Sequence, residues 1–395
     1  MSQTLRAITA LACLFSVLSA AYAAWRQDWT YDEPFHLSWS QRLLESGVTE
    51  RDSQERYNSK TPAAIPNALA QRIAASLGVS SPRPLRLAAR LPTVLWLALL
   101  LAVLFLGARR LAGERAAHVA TIGAALDPNL IAHASLVTVD VLYALATLLT
   151  LLAALAFARA PSAGRAAALG LALGLGFATK FSAFLLLLGL LLLPLASPPE
   201  SRGLWRNVKL LATSALVAAG AALIVVELAY LGKGAAFLEG MSRSVRSERG
   251  WGPVVLLGRA HPDGVYYYFA VLWALKTPLL LLLAQAAGLL LVARSGRLTR
   301  DPALRFLALN LALALFYFSF LFKTQIGYRF VLMGIPLAWI LAAAGLRDLT
   351  GRRAGVLGAL ALVMALAENL AYLGNPLSFS NAAVQPKRQA FRLGQ

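Results

Sequence analysis

Two adjacent carboxylates, Asp32 and Glu33, stand in Trp29-Thr30-Tyr31-Asp32-Glu33-Pro34-Phe35-His36, a few residues after the first long apolar run. A carboxylate at such a boundary needs water or a cation beside it. It could take a proton from a hydroxyl as a general base, or simply cap a helix ahead of Pro34. A third carboxylate, Asp140, is flanked by apolar residues in Leu136-Val137-Thr138-Val139-Asp140, and an acid between two apolar runs marks a candidate functional site. Several cations recur in comparable settings. Lys180 sits in Ala178-Thr179-Lys180-Phe181, Lys276 in Leu275-Lys276-Thr277-Pro278, and Tyr328-Arg329 opens a late apolar run. Each could snorkel as an ordinary interface anchor. Together with Lys60, Arg56 and Arg259 they form a set able to hold a phosphate at headgroup depth. Tyr57, beside Arg56, and Tyr267, in the aromatic set Tyr266-Tyr267-Tyr268-Phe269, complete the candidate substrate contacts. No Walker or Rossmann glycine pattern is present, which argues against nucleotide chemistry. These residues suit a substrate that arrives through a bilayer with a phosphate at its polar end. One carboxylate would accept the proton of an acceptor hydroxyl while the cations stabilise the departing phosphate.

The elements that must position them are membrane helices. The chain has 395 residues, of which 58% are hydrophobic and 14% charged, where a soluble domain carries roughly 25% charged residues. Apolar runs of about 17–22 residues recur, long enough for a helix to cross roughly 30 Å of hydrocarbon. They are too long and too rich in Leu and Ala for barrel strands. The expectation is an all-α, polytopic transmembrane bundle of about 11 spans, near 7–24, 91–107, 116–134, 138–158, 166–178, 182–196, 210–230, 266–292, 304–322, 329–346 and 354–373. The first of these also resembles a signal peptide, ending in Ala21-Tyr22-Ala23, and is read here as a retained span.

The net charge of +19 reflects arginines gathered in the short loops 109–115, 159–165, 202–209, 294–305 and 347–353. By the positive-inside rule these loops and the N-terminus are cytoplasmic. No basic stripe interleaved with aromatics suggests nucleic acid. The loops 25–90 and 231–265 and the tail 374–395 then face the other side of a single integral membrane domain spanning 1–395. Within loop 25–90, residues 35–46 and 63–77 show helical spacing and are expected to form interfacial helices. The lone cysteine, Cys13, permits no internal disulfide or Cys-pair metal site.

Four segments together resemble the GT-C glycosyltransferases, in the protein O-mannosyltransferase and aminoarabinose-transferase branch. They are Tyr31-Asp32-Glu33-Pro34-Phe35-His36; Asp127-Pro128-Asn129-Leu130-Ile131-Ala132-His133 running into Val139-Asp140; Gly174-Leu175-Gly176-Phe177-Ala178-Thr179-Lys180-Phe181-Ser182; and Tyr266-Tyr267-Tyr268-Phe269 followed by Leu275-Lys276-Thr277-Pro278. The resemblance implies that Asp32 is the catalytic base, that Glu33 orients it or helps bind substrate or a cation, and that Asp140 is the second acidic position ordering the site. It places Lys60 on the lipid phosphate. The implied reaction transfers a sugar, with inversion, from a polyprenyl-phosphate donor to a hydroxyl of a protein, lipid A, a glycan or another lipid. The implied setting is the outer side of a bacterial-type inner membrane. No cofactor is required by this pattern; a divalent metal is left open, since His36, Glu33 and His261 could contribute ligands, but their spacing specifies no site. A transporter or flippase for an anionic lipid or solute is the alternative. It would show broken helices in matching positions of two repeated halves, and no internal symmetry is visible.

Overall fold

The computed structural model describes residues 3–46, 61–195, 203, 207–246, 254–322 and 324–385. Among these residues six helices are long and apolar enough to cross a membrane: Gln3–Arg26, Pro82–Ala112, Asp140–Arg159, Val208–Ala229, Pro302–Leu321 and Arg352–Ala371. Shorter apolar helices, among them Ala163–Thr179, Leu279–Arg294 and Gly334–Leu346, fill the bundle between them. The helical membrane architecture stands, but the structure does not establish eleven spans.

Local chemistry sets the boundaries. Pro82 opens its helix at a position where the missing N–H costs nothing, and Gly113, at φ 92°, separates it from Glu114–Ala125. Ser162 accepts from Arg165 N and Asp301 from Ala303 N and Leu304 N, capping the helices that follow. Two expected spans are broken. The run 116–134 divides into Glu114–Ala125 and Pro128–Ala134, and the run 266–292 into Tyr268–Lys276 and Leu279–Arg294. In both cases a proline, Pro128 or Pro278, removes an N–H and turns the preceding residue out of helical geometry.

The core is built on Asp140–Arg159 and Gly334–Leu346, most of whose residues are buried. Helices Gln3–Arg26 and Pro82–Ala112 pack beside them. Val208–Ala229 and Arg352–Ala371 instead expose Leu216, Leu223, Leu228, Leu357 and Leu360, as suits helices with a lipid-facing side. Small residues let backbones meet. A Cβ on Gly170 would lie 2.1 Å from the Ala218 carbonyl, and one on Gly345 would lie 2.0 Å from the Gly288 carbonyl.

Helices form at both sites expected in the first loop, as Glu33–Ser46 and Ile65–Ser76. Trp39 and Leu43 on the first pack with Val226 and Tyr230, while Leu37 joins Ala68, Ala89 and Val137. The only strands among the described residues are a hairpin, Val254–Leu256 against Arg259–His261, a small addition to the all-α expectation.

Candidate active site

Asp32 and Glu33 begin one helix but serve different neighbours. Glu33 is fully buried. Its Oε1 accepts from Arg90 Nε (2.8 Å) and Val137 N (2.9 Å), and its Oε2 from Arg90 Nη2 (2.7 Å), Thr30 N (2.8 Å) and Thr30 Oγ1 (3.0 Å). Arg90, also fully buried, gives its remaining hydrogens to the carbonyls of Ala24, Gln27 and Asp28. This latch ties the end of the first helix, the start of the Glu33 helix and the turn before Asp140 to one guanidinium. Its five donors leave Glu33 no lone pair for a substrate or metal. Glu33, expected among the catalytic residues, is thus bonded only to groups of the protein itself.

Asp32 points elsewhere. It forms an ion pair with Arg329 and remains partly accessible. Arg329 lies against Phe330, with its guanidinium carbon 5.4 Å from the ring centroid, and Lys180 approaches the same ring at 4.8 Å. Lys180 Nζ donates to Asp140 Oδ1 at 2.8 Å, and His133 Nδ1 is 3.7 Å from Asp140 Oδ2. Asp32 and Asp140 are thus joined through Arg329, Phe330 and Lys180 into one alternating cluster of charges. Lys180 and Arg329, both expected among the substrate-binding cations, each pair with an acid.

The connector before Asp140 carries the residues that the sequence reading passed over. Asp127 caps the helix Pro128–Ala134, accepting from Asn129 N (2.8 Å) and Asn129 Nδ2 (3.0 Å). A cavity of about 230 Å³ opens here, lined by Asn129, His133, Lys276, Tyr328, Arg329 and apolar side chains. The quoted motif Asp127-Pro128-Asn129 was the signal for the connector. For Arg90 the signal was an arginine inside an apolar helix.

The remaining expected contacts are spread. Arg259 is exposed on the hairpin, and Tyr267 packs edge-on against His261 with ring centroids 6.4 Å apart; neither lines the cavity. Lys60, Arg56 and Tyr57 lie outside the described residues, although the next residue, Thr61, donates to the carbonyl of Thr179 at 2.7 Å, beside Lys180. Among the described residues no three His, Cys, Asp or Glu side chains converge as a metal site.

Residues 70–227 match the family described as dolichyl-phosphate-mannose-protein mannosyltransferase. ArnT from Cupriavidus metallidurans bound to undecaprenyl phosphate superposes with a TM-score of 0.63 at 20% identity, covering 99% of this chain and 68% of that one. In its apo state the TM-score is 0.62, again at 20% identity, covering 92% of this chain and 63% of that one. The chain has the GT-C fold. The oligosaccharyltransferase AglB from Archaeoglobus fulgidus, in complex with an inhibitory peptide and a dolichol-phosphate, shares this GT-C fold. It matches with a TM-score of 0.60 at 16% identity, over 99% of this chain and 56% of that one. The chain thus spans a little over half to about two thirds of the length of these GT-C structures. No curated protein sequence matches it.

Proposed function

We propose that this protein is a membrane glycosyltransferase that moves a sugar from a polyprenyl-phosphate-linked donor to a hydroxyl acceptor on the extracytoplasmic side. The observation that carries the reading is the cluster Asp32–Arg329–Phe330–Lys180–Asp140 at the edge of the cavity. The family match over residues 70–227 and the undecaprenyl phosphate and dolichol-phosphate bound to proteins of the same fold support a lipid-phosphate donor.

In the proposed reaction the acceptor oxygen attacks the anomeric carbon as Asp32 takes its proton. The bond from that carbon to the phosphate oxygen breaks, and the lipid phosphate departs with the bonding pair. Arg329 touches both Asp32 and the cavity, so an arriving phosphate can draw its guanidinium and leave Asp32 free to act. Lys60 and Arg56 are the expected partners of that phosphate. Glu33 acts through Asp32 by fixing the helix start, and Asp140 holds Lys180.

Asp32→Asn tests the base directly. General bases contribute about 10²–10⁴-fold, so transfer from a polyprenyl-phosphate sugar should fall by that factor while undecaprenyl phosphate still binds. Transfer near the wild-type rate would refute the assignment.

A further inference from the structure

The cavity beside the acidic cluster contains a cation that the proposed reaction does not use. Lys180 and Arg329 each meet a carboxylate. Lys276 Nζ meets only the carbonyl of Leu377, at 3.0 Å, and no carboxylate pairs with it among the described residues. A cation withdrawn from water without an anion is costly, yet the surrounding chain holds this one firmly. Asn129 Nδ2 donates to the Lys276 carbonyl at 2.8 Å. Asn381 Nδ2 donates to the carbonyls of Ala274 and Thr277, and Asn381 N to that of Leu275 at 2.9 Å. The backbone on both sides of Lys276 is therefore pinned from two directions.

Three further features describe the ligand. His133 Nδ1 is buried without a hydrogen-bond partner among the described residues, and an imidazole nitrogen is a hydrogen-bonding group suited to hydroxyls. Leu272 and Ile326 supply an apolar surface in the same cavity, which fits the C–H face of a sugar. The volume of about 230 Å³ falls below the roughly 300–1,000 Å³ of pockets for drug-sized ligands. It has room for one monosaccharide ring without an isoprenoid tail.

We propose that this cavity binds a monosaccharide unit bearing an oxyanion, carboxylate or phosphate ester, with the anion on Lys276 and ring hydroxyls at His133 and Asn129. The inference rests on the glycosyltransferase reading and names a substrate class for it, an acidic sugar carried by the donor or the acceptor. Lys276 is then a specificity-determining residue, set apart from Lys60 and Arg56, the partners proposed for the lipid phosphate.

The test uses the purified full-length protein, with binding followed by Trp273 fluorescence, since that ring lies 5.6 Å from Tyr328 in the cavity wall. Glucuronate, glucose 6-phosphate and glucose are titrated separately, and undecaprenyl phosphate is titrated in parallel. At least one acid should bind about tenfold tighter than glucose, and the better of the two identifies carboxylate or phosphate as the group held. Lys276→Gln should abolish the preference and Lys276→Arg retain it, with undecaprenyl phosphate affinity unchanged in both. Equal binding of acids and glucose by the wild type, or no binding of either acid, overturns the proposal without recourse to a variant. So does a Lys276→Gln protein whose undecaprenyl phosphate affinity falls as far as its acid affinity, since Lys276 then serves the donor phosphate. A wild-type protein that binds the acids but transfers from no polyprenyl donor would instead remove the proposed function and leave this site standing.

Discussion

Asp32 and Glu33 differ by one methylene and one position, and the protein treats them as opposites. Glu33 is enclosed with Arg90 in a latch at 0% side-chain exposure, whereas Asp32 stays partly open and meets Arg329. Removing one partner of a buried ion pair leaves an uncompensated charge, which costs about 3–5 kcal/mol. Arg90→Ala and Glu33→Ala should each lower the thermal unfolding midpoint in detergent by an amount equivalent to that cost. Combined, the two substitutions should cost clearly less than their sum; additive losses would mean that the two side chains do not act as a unit.

Between residues and bundle stand the places where helices touch or break. Ala163–Thr179 meets Val208–Ala229 through Gly170 and Gly174, and Leu279–Arg294 meets Gly334–Leu346 through Gly288 and Gly345. At Gly345 an added Cβ would face backbone rather than a movable side chain, so the helices themselves must separate. Gly345→Val should destabilise the protein by at least the roughly 1–3 kcal/mol typical of overpacking. Gly355→Val, where nothing lies within 4 Å, should cost much less, and equal unfolding midpoints for the pair would count against the close contact. The breaks at Asp127-Pro128 and Thr277-Pro278 have the opposite purpose. They end helices early, so that Asn129, His133 and Lys276 reach the cavity as ends and turns rather than as points on continuous spans. Asp127 adds a cap whose loss ordinarily costs about 1 kcal/mol.

For the whole molecule, the distribution of arginine predicts orientation. The loops at 109–115 and 347–353 should face the cytoplasm, and the first loop, with Asp32, the opposite side. In a Cys13→Ser background, Thr350→Cys should resist a membrane-impermeant thiol reagent in intact cells, while Ser80→Cys reacts with it. Both positions are exposed, so their difference reports sidedness and not burial, and the reverse pattern would move the proposed chemistry to the cytoplasmic face.

The amino-acid sequence by itself determined the membrane character, the helical class, the two first-loop helices and the identity of Asp32, Asp140, Lys180, Lys276 and Arg329 as residues needing an explanation. Run length, arginine placement and proline position are local signals, and they act within a turn or two of where they are read. Tertiary structure decided what each of those residues touches. Asp32 pairs across 297 residues with Arg329, and Glu33 across 57 with Arg90, separations at which no periodicity or propensity carries information. That is why spacing alone could not say which of two neighbouring carboxylates would be buried, and why the cations, which looked alike, divided into Lys180 and Arg329, held by acids, and Lys276, which meets a carbonyl. Complementary charges find each other only once packing of the intervening helices has fixed which side chains are withdrawn from water together, and burial then makes an unmatched partner too costly to leave alone.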